Sequence, residues 1–411
     1  MRRIVDFLIG TAICLVAGTA FAQMTLTDTK TMTLHDRLLT IDSPVDIGPG
    51  YGTPKLDPGV LNAAQVNLPA MRIGGLDAGF FIIFIPQGDL TEEGVAEAAA
   101  MAEEKYAAIL HMVRANRSTI GLATSADDVA ALHSQGKLIA LVGIENSYGL
   151  GSTEQEVTRS VAQWAQRGVR YASITHFGHN QFGGSSNPNF SRDDGEDPGL
   201  TELGKILIGA LNDHGLMVDV SHVGPMTAAD AIAASRAPVI ASHSTVKAVY
   251  DNARGLTDEQ LIAIRDTGGV AQITAFRSYV ARIDQRISSA ESELGKRLGL
   301  TSFATFISAS AETISEYRQE RDRIRRKYDD VTLEQFLDHV DHAVRVVGMD
   351  HVGLSGDFDG GGGVEGWDGA AESPNVTAAL LNRGYTAQDL AKWWGQNLLR
   401  VMREVEATVV Q

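Results

Sequence analysis

Residues 216–244, LMVDVSHVGPMTAADAIAASRAPVIASHS, constrain the fold of this chain most tightly. Two short apolar runs, Leu216–Val220 and Pro238–Ala241, are each followed by Ser-His, and a helix-like stretch, Pro225–Ala234, separates them. A run of this length bounded by polar turns reads as a strand buried on both faces. Strand, helix and strand within about thirty residues read as a right-handed βαβ unit. His222 and His243 then fall at the carboxyl ends of neighbouring parallel strands, the end where α/β folds carry their chemistry.

Six further runs follow the same rhythm: Leu38–Asp46, Ile73–Pro86, Lys137–Glu145, Val169–His176, Val270–Phe276 and His351–Gly356. Most are separated by stretches of helical spacing. Eight parallel strands with helices outside predict an α/β fold of the (β/α)8 TIM-barrel type, with a doubly wound open sheet as the alternative. No G-x-G-x-x-G follows the first strand and no G-x-x-x-x-G-K-[ST] occurs anywhere, so a nucleotide site has no support. Residues 277–330 break the rhythm with Arg, Glu, Ser and Asp at helical spacing. They predict a helical excursion on the outside of the barrel, lying over the site, at a subunit contact, or simply in solvent. The polar loop 177–197 is long for a βα connection and is a candidate binding loop.

Residues 1–22 read as a secretory signal peptide: Arg2 and Arg3, the largely apolar Phe7–Gly18, and Ala20-Phe21-Ala22 before a cut at Gln23. That leaves 23–411 as one barrel domain. Cys14, the only cysteine, lies in the removed segment, so the mature chain has neither disulfide nor thiolate ligand. Export without cysteine suits a bacterial periplasm. No other stretch is long and apolar enough to span a membrane. The net charge of −16 argues against a nucleic-acid partner, which needs clustered Lys and Arg.

The predicted strand ends carry Asp46, Glu145, His176, His222, His243 and, in Gly356-Asp357-Phe358-Asp359, Asp357. A single histidine at a strand end is usually a hydrogen-bonded structural residue, and an aspartate there usually forms a cap or turn. The whole set at one barrel mouth is different. Burying it costs several kcal/mol per charge unless the groups are paired or bind metal. Imidazole nitrogen and carboxylate oxygen are both ligands for Zn²⁺. The remaining histidines read otherwise: His339 and His342 as a solvated helix face, and His351 at the opposite end of the barrel.

The motifs VGIEN around Glu145, RYASITHFGHN around His176, DVSHV around His222, RAPVIASHS around His243, DNARGLT around Arg254 and HVGLSGDFDG around Asp357 resemble the membrane (renal) dipeptidase family, in order, over roughly residues 33–400. The resemblance implies a barrel with two zinc ions that hydrolyses dipeptides, including some with a D-residue at the C-terminal position, and a homodimer. It implies that Glu145 bridges both metals, that His222 and His243 complete the second site, and that Asp46 binds the first. Asp357 would lie beside the first metal and move the proton, His176 would steady the oxyanion, and Arg254 would take the terminal carboxylate of the substrate. One departure stands out. The family's first motif is His-x-Asp, and here Pro44-Val45-Asp46 puts a residue without a donor atom where the histidine belongs. His35 should lie at the far end of the barrel, which leaves His179 as the one stand-in. The expectation is one well-formed zinc site and a weakened second. The alternative is a specialised or catalytically weakened barrel of the same kind that binds peptides.

Overall fold

The strands are β1 Ile41–Val45, β2 Ala78–Phe84, β3 Ile120–Leu122, β4 Leu138–Glu145, β5 Val169–Ser173, β6 Met217–Asp219, β7 Val239–Val246, β8 Gly255–Leu256, β9 Val270–Thr274 and β10 Val352–Ser355. The computed structural model describes residues 29–409 apart from 49, 55, 63, 189–194, 303, 304, 306–308 and 329. The expected signal segment, 1–22, lies outside the described residues. No helix among the described residues is long and apolar enough to cross a membrane.

Eight strands pair in parallel in the order β1-β2-β4-β5-β6-β7-β9-β10, with β3 added to β4 and β8 to the end of β7. The ring closes where Val45 bridges Phe358, the Asp46 amide donates to the Phe358 carbonyl at 2.9 Å, and the Gly356 amide donates to Asp42 Oδ1 at 2.7 Å. This is the expected TIM-type (β/α)8 barrel of the metal-dependent hydrolase kind. Strands buried on both faces explain the uninterrupted apolar runs, since all seven residues of β2 are buried. Alternate β2 residues go to opposite faces: Phe80 and Ile82 pack with Tyr171, Met217 and Ile240, while Phe81 and Ile83 pack with helix residues such as Ile109 and Val157. The outer helices start at defined caps, with reciprocal capping boxes at Thr153/Glu156, Thr257/Gln260 and Thr332/Gln335, each worth about 1 kcal/mol.

The excursion is helical as expected: Arg277–Val280, Gln285–Leu298 and Ala311–Lys327. It is tied to the barrel mouth by charge. Arg318 Nη2 donates to Asp359 Oδ1 at 2.6 Å, and Arg277 donates to Asp330 at 2.9 Å and Asp368 at 3.0 Å. Three readings need correction. Residues 68–73 form a helix, so β2 starts at Ala78. Strand β7 runs on to Val246, because Thr245 and Val246 pair with Gly255 and Leu256. His339 is not on a solvated face: it is fully buried, accepts the Val246 amide at Nδ1 (3.0 Å) and donates from Nε2 to the Val280 carbonyl (2.9 Å), joining β7 to the excursion.

The seam carries its own pH response. Asp42 is 1% exposed, its Oδ1 accepts the Gly356 and Ser43 amides, and its Oδ2 has no hydrogen-bond partner. Burial pushes its carboxyl up to about 7 against those two bonds, with Asp357 adding repulsion. An unfolded aspartate titrates near 4. Between about pH 4 and 7 the folded chain therefore holds a proton the unfolded chain has released, and stability falls as pH rises through that window. In metal-stripped protein, Asp42→Asn keeps the Oδ1 acceptor and should raise stability at pH 8 by on the order of 1–4 kcal/mol, while changing it little at pH 4. Thermal unfolding at the two pH values checks this; an equal Tm shift at both would contradict it.

Candidate metal centre at the barrel mouth

Glu145 ends β4, His222 follows β6, and His243 lies within β7. Between Ala241 and Ser244 the pairing of β7 with β9 slips by a residue, and this bulge re-aims the His243 segment. Among the described residues, the non-glycine residues in the left-handed region are Asn146 (φ 73°), His222 (φ 65°), Asp357 (φ 50°) and Asp359 (φ 64°). All four lie at the carboxyl ends of barrel strands. Such backbone costs on the order of 1–3 kcal/mol per residue and gathers at functional sites. Asn146 is held there by bonds from its Nδ2 to the Ile85 carbonyl (2.9 Å), from its amide to Ser173 Oγ (2.9 Å), and from Asn180 Nδ2 to its Oδ1 (2.9 Å). These fix the sharp turn immediately after Glu145.

The three side chains meet. His222 Nε2 is 3.1 Å and His243 Nε2 is 3.2 Å from Glu145 Oε1, and the two Nε2 atoms are 2.7 Å apart. Their residues are 4%, 3% and 2% exposed, and no other group of three or more such side chains with converging ligand atoms occurs among the described residues. Burial holds His222 well below the ordinary histidine range and His243 at about 4, so both imidazoles are neutral at pH 7 and can offer lone pairs. Burial pushes Glu145 up to about 8, with Arg254 opposing the shift. A divalent cation among the three would favour its ionised form. A buried carboxylate oxygen and two imidazole nitrogens converging on one point fit Zn²⁺ or a similar ion and leave a fourth position open.

A hydrogen-bond relay sets the tautomer of His243. Ser242 Oγ donates to Asp219 Oδ2 at 2.5 Å, because a carboxylate can only accept. The same oxygen lies 2.8 Å from His243 Nδ1 and so accepts its proton. Nε2 is thereby left as the lone pair facing Glu145. Asp219 is itself held by the Ser221 and Ser242 amides on Oδ1, at 3.0 and 2.8 Å. Partners of this kind are worth about 10–100-fold in metal affinity. Ser242→Ala should weaken binding of a divalent ion such as Zn²⁺ about 10–100-fold with the fold intact, measured by competition with a chromogenic chelator; unchanged affinity would show that the relay does not set the ligand. The sequence reading missed Asp219 and Ser242. A lone aspartate inside the apolar run Leu216–Val220 was the available signal, since a buried charge needs a partner.

The other predicted residues surround this triangle without joining it. His176 follows β5 with Nε2 3.9 Å from Glu145 Oε1, its ring packed on Phe84, Phe177 and His222 at 4.7, 4.2 and 4.2 Å. Burial keeps it neutral. Asp46 and Asp357 lie side by side: a Cβ placed on Gly360 would meet Asp46 Oδ2 at 2.4 Å and Asp357 Oδ1 at 2.6 Å, so any larger residue there would have to displace both carboxylates. Burial pushes both up to about 7, with repulsion from Glu145 acting on each and from Asp46 on Asp357. His179 is not a stand-in ligand. Its Nδ1 accepts the Ser185 amide at 2.9 Å, and its Nε2 therefore carries the proton that bonds to the Glu196 carbonyl at 3.0 Å.

Arg254 is 4% exposed and donates from Nη2 to the His243 carbonyl at 2.8 Å. Its Nε has no partner, no carboxylate among the described residues pairs with it, and its guanidinium sits 5.4 Å from the Tyr279 ring centroid. Burial pushes the hydroxyl of Tyr279, a residue the sequence reading did not find, up to about 12, with Arg254 opposing and Asp357 adding to the shift.

The family model for membrane dipeptidase (peptidase family M19) matches residues 28–411. Over 347 residues the chain is 26% identical to dipeptidase aclJ of Aspergillus oryzae, an alignment covering 83% of this chain and 70% of that protein. Among solved structures it is similar to the probable dipeptidase PvdM from Pseudomonas aeruginosa, with 32% identity and a TM-score of 0.78 over 92% of this chain and 98% of that one. A metallo peptidase from Rhodobacter sphaeroides, solved with a phosphinate mimic of the dipeptide L-Ala-D-Ala, shares the fold at a TM-score of 0.68 and 22% identity, covering 90% of this chain and 99% of that one.

Proposed function

The chain belongs to the membrane dipeptidase family, peptidase family M19, and from that premise we propose that it hydrolyses dipeptides with one zinc ion held by Glu145, His222 and His243. The observation that carries the reading is the triangle of ligand atoms at 2.7, 3.1 and 3.2 Å in a buried mouth. When bound, zinc supplies Lewis acidity and an acidified water at neutral pH.

The chain's own residues do the rest. Arg254, a buried guanidinium without a carboxylate partner, takes the C-terminal carboxylate of the dipeptide, for which its planar fork is suited. That anchors the scissile carbonyl between the triangle and His176. The neutral His176 ring keeps one N–H with which to hydrogen-bond the carbonyl oxygen as negative charge develops on it. Asp357, raised to about 7, is poised to take a proton from the attacking water and return it to the leaving amine near neutral pH. The Rhodobacter protein was solved with a phosphinate mimic of L-Ala-D-Ala, and acceptance of a D-residue at the second position is part of the proposal here.

A second reading is favoured by one observation: Asp46 and Asp357 are not gathered with a third ligand. A barrel that binds peptides and turns them over weakly would look the same. A panel of L-L and L-D dipeptides assayed with zinc separates the two. Turnover of at least one class supports the hydrolase; binding of dipeptides without turnover under any metal supports the other.

A further inference from the structure

The buried stripe of helix Glu92–Ala115 runs through Ala98, Ala102, Tyr106, Ile109 and Met112. Lys105, half-buried, lies on the edge of that stripe beside Tyr106, between the turns of Ala102 and Ile109. A lysine drawn in against an apolar stripe needs a partner for its charge. It makes no ion pair on its own helix: Glu103 is taken by Arg167 at 2.5 Å. Instead its ammonium lies 5.1 Å from the Phe84 ring centroid. Phe84 is the register partner of Glu145 and packs on His176 at 4.7 Å, so Lys105 reaches the wall of the mouth. Burial lowers its pKa, and the charges that oppose that shift and favour the ammonium are Asp46 and Glu145. Arg254 also acts on Glu145, opposing the upward shift that burial causes. Strand β1 offers Asp46 no neighbouring donor group: Pro44 and Val45 have none, and Ser43 Oγ is directed to the Tyr171 hydroxyl at 3.3 Å.

We propose that Lys105 is a built-in cation of this site, supplying beside Asp46 and Glu145 the positive charge that a second metal ion would bring, so that the centre works with one ion. The proposal rests on the zinc dipeptidase reading above. Lys105 acts by placing charge and is not assigned contact with substrate. It also gives the carboxylate pair at Gly360 a role without a second ion: Asp46 faces the ammonium, and Asp357 is left to handle protons.

The test is zinc uptake by chelator-stripped full-length protein, measured by calorimetric titration and elemental analysis, alongside dipeptide turnover, in wild type, Lys105→Met and Lys105→Arg. Methionine keeps the length of the side chain at this half-buried edge position, so that variant should fold. The expected result is one tight zinc per chain in wild type and in Lys105→Arg. In Lys105→Met a second, weaker zinc should appear. At one equivalent of zinc its turnover should fall on the order of tenfold, and excess zinc should restore it. The proposal is overturned if Lys105→Met stays at one ion whatever the zinc excess, or if wild type already takes two ions of like affinity. Absence of any tight zinc in wild type overturns the dipeptidase reading itself, and this proposal with it.

Discussion

His243→Ala should remove tightly bound zinc and dipeptide turnover together while the barrel stays folded. His243 Nε2 touches both other members of the triangle, at 2.7 and 3.2 Å, so its loss leaves two ligands where three converge. It also leaves the Asp219–Ser242 relay with nothing to orient. The ion contributes several kcal/mol to the transition state, so turnover should fall by about a thousandfold or more. Circular dichroism checks folding and elemental analysis checks zinc. A variant that kept its zinc and lost only activity would make His243 something other than a ligand. One that kept both would remove the triangle from the mechanism.

Arg254→Met should separate substrate binding from metal binding. Zinc should still be bound at one ion per chain, because Arg254 contributes no ligand; its hydrogen bond goes to the His243 carbonyl, and removing its charge beside Glu145 does not disfavour a cation. Losing the partner of a buried carboxylate costs about 2–5 kcal/mol, so kcat/KM for dipeptides should fall by about 10²-fold or more. Arg254→Lys should recover little of this, since a point charge does not reproduce the fork. Stability provides an independent readout. A buried guanidinium with an unpartnered Nε is a liability in the free protein, so Arg254→Met should unfold at the same temperature or higher. A marked drop in Tm with kcat/KM preserved would recast Arg254 as structural.

The barrel was legible because parallel strands are buried on both faces and write themselves as apolar runs between helical stretches. Legibility fails where burial is polar. Strand β7 continues through Ser242, His243, Ser244 and Thr245, all buried, because the inside of the mouth is polar at that level. Strands β3 and β8, three and two residues long, pair only at edges and leave no periodic trace. His222, His243 and Glu145 were found because each terminates or follows a recognisable run. Asp219, Ser242, Lys105 and Tyr279 were not, since their parts depend on contacts far apart in the chain. Lys105 and Asp46 belong to different elements, and a lysine among alanines reads as a solvated residue until the helix is docked. His339 misled for the same reason: at helical spacing beside Asp338 and Asp341 it looks exposed, and only the Val246 and Val280 backbone groups show why it is buried.

The measurement that bears most directly on the metal centre is a zinc titration of chelator-stripped wild-type protein with dipeptide hydrolysis followed at every step. Hydrolysis should start from nothing, rise in proportion to added zinc, and level off at one equivalent per chain. Hydrolysis that survives stripping, or that never appears at any zinc level, would contradict a catalytic centre built on Glu145, His222 and His243.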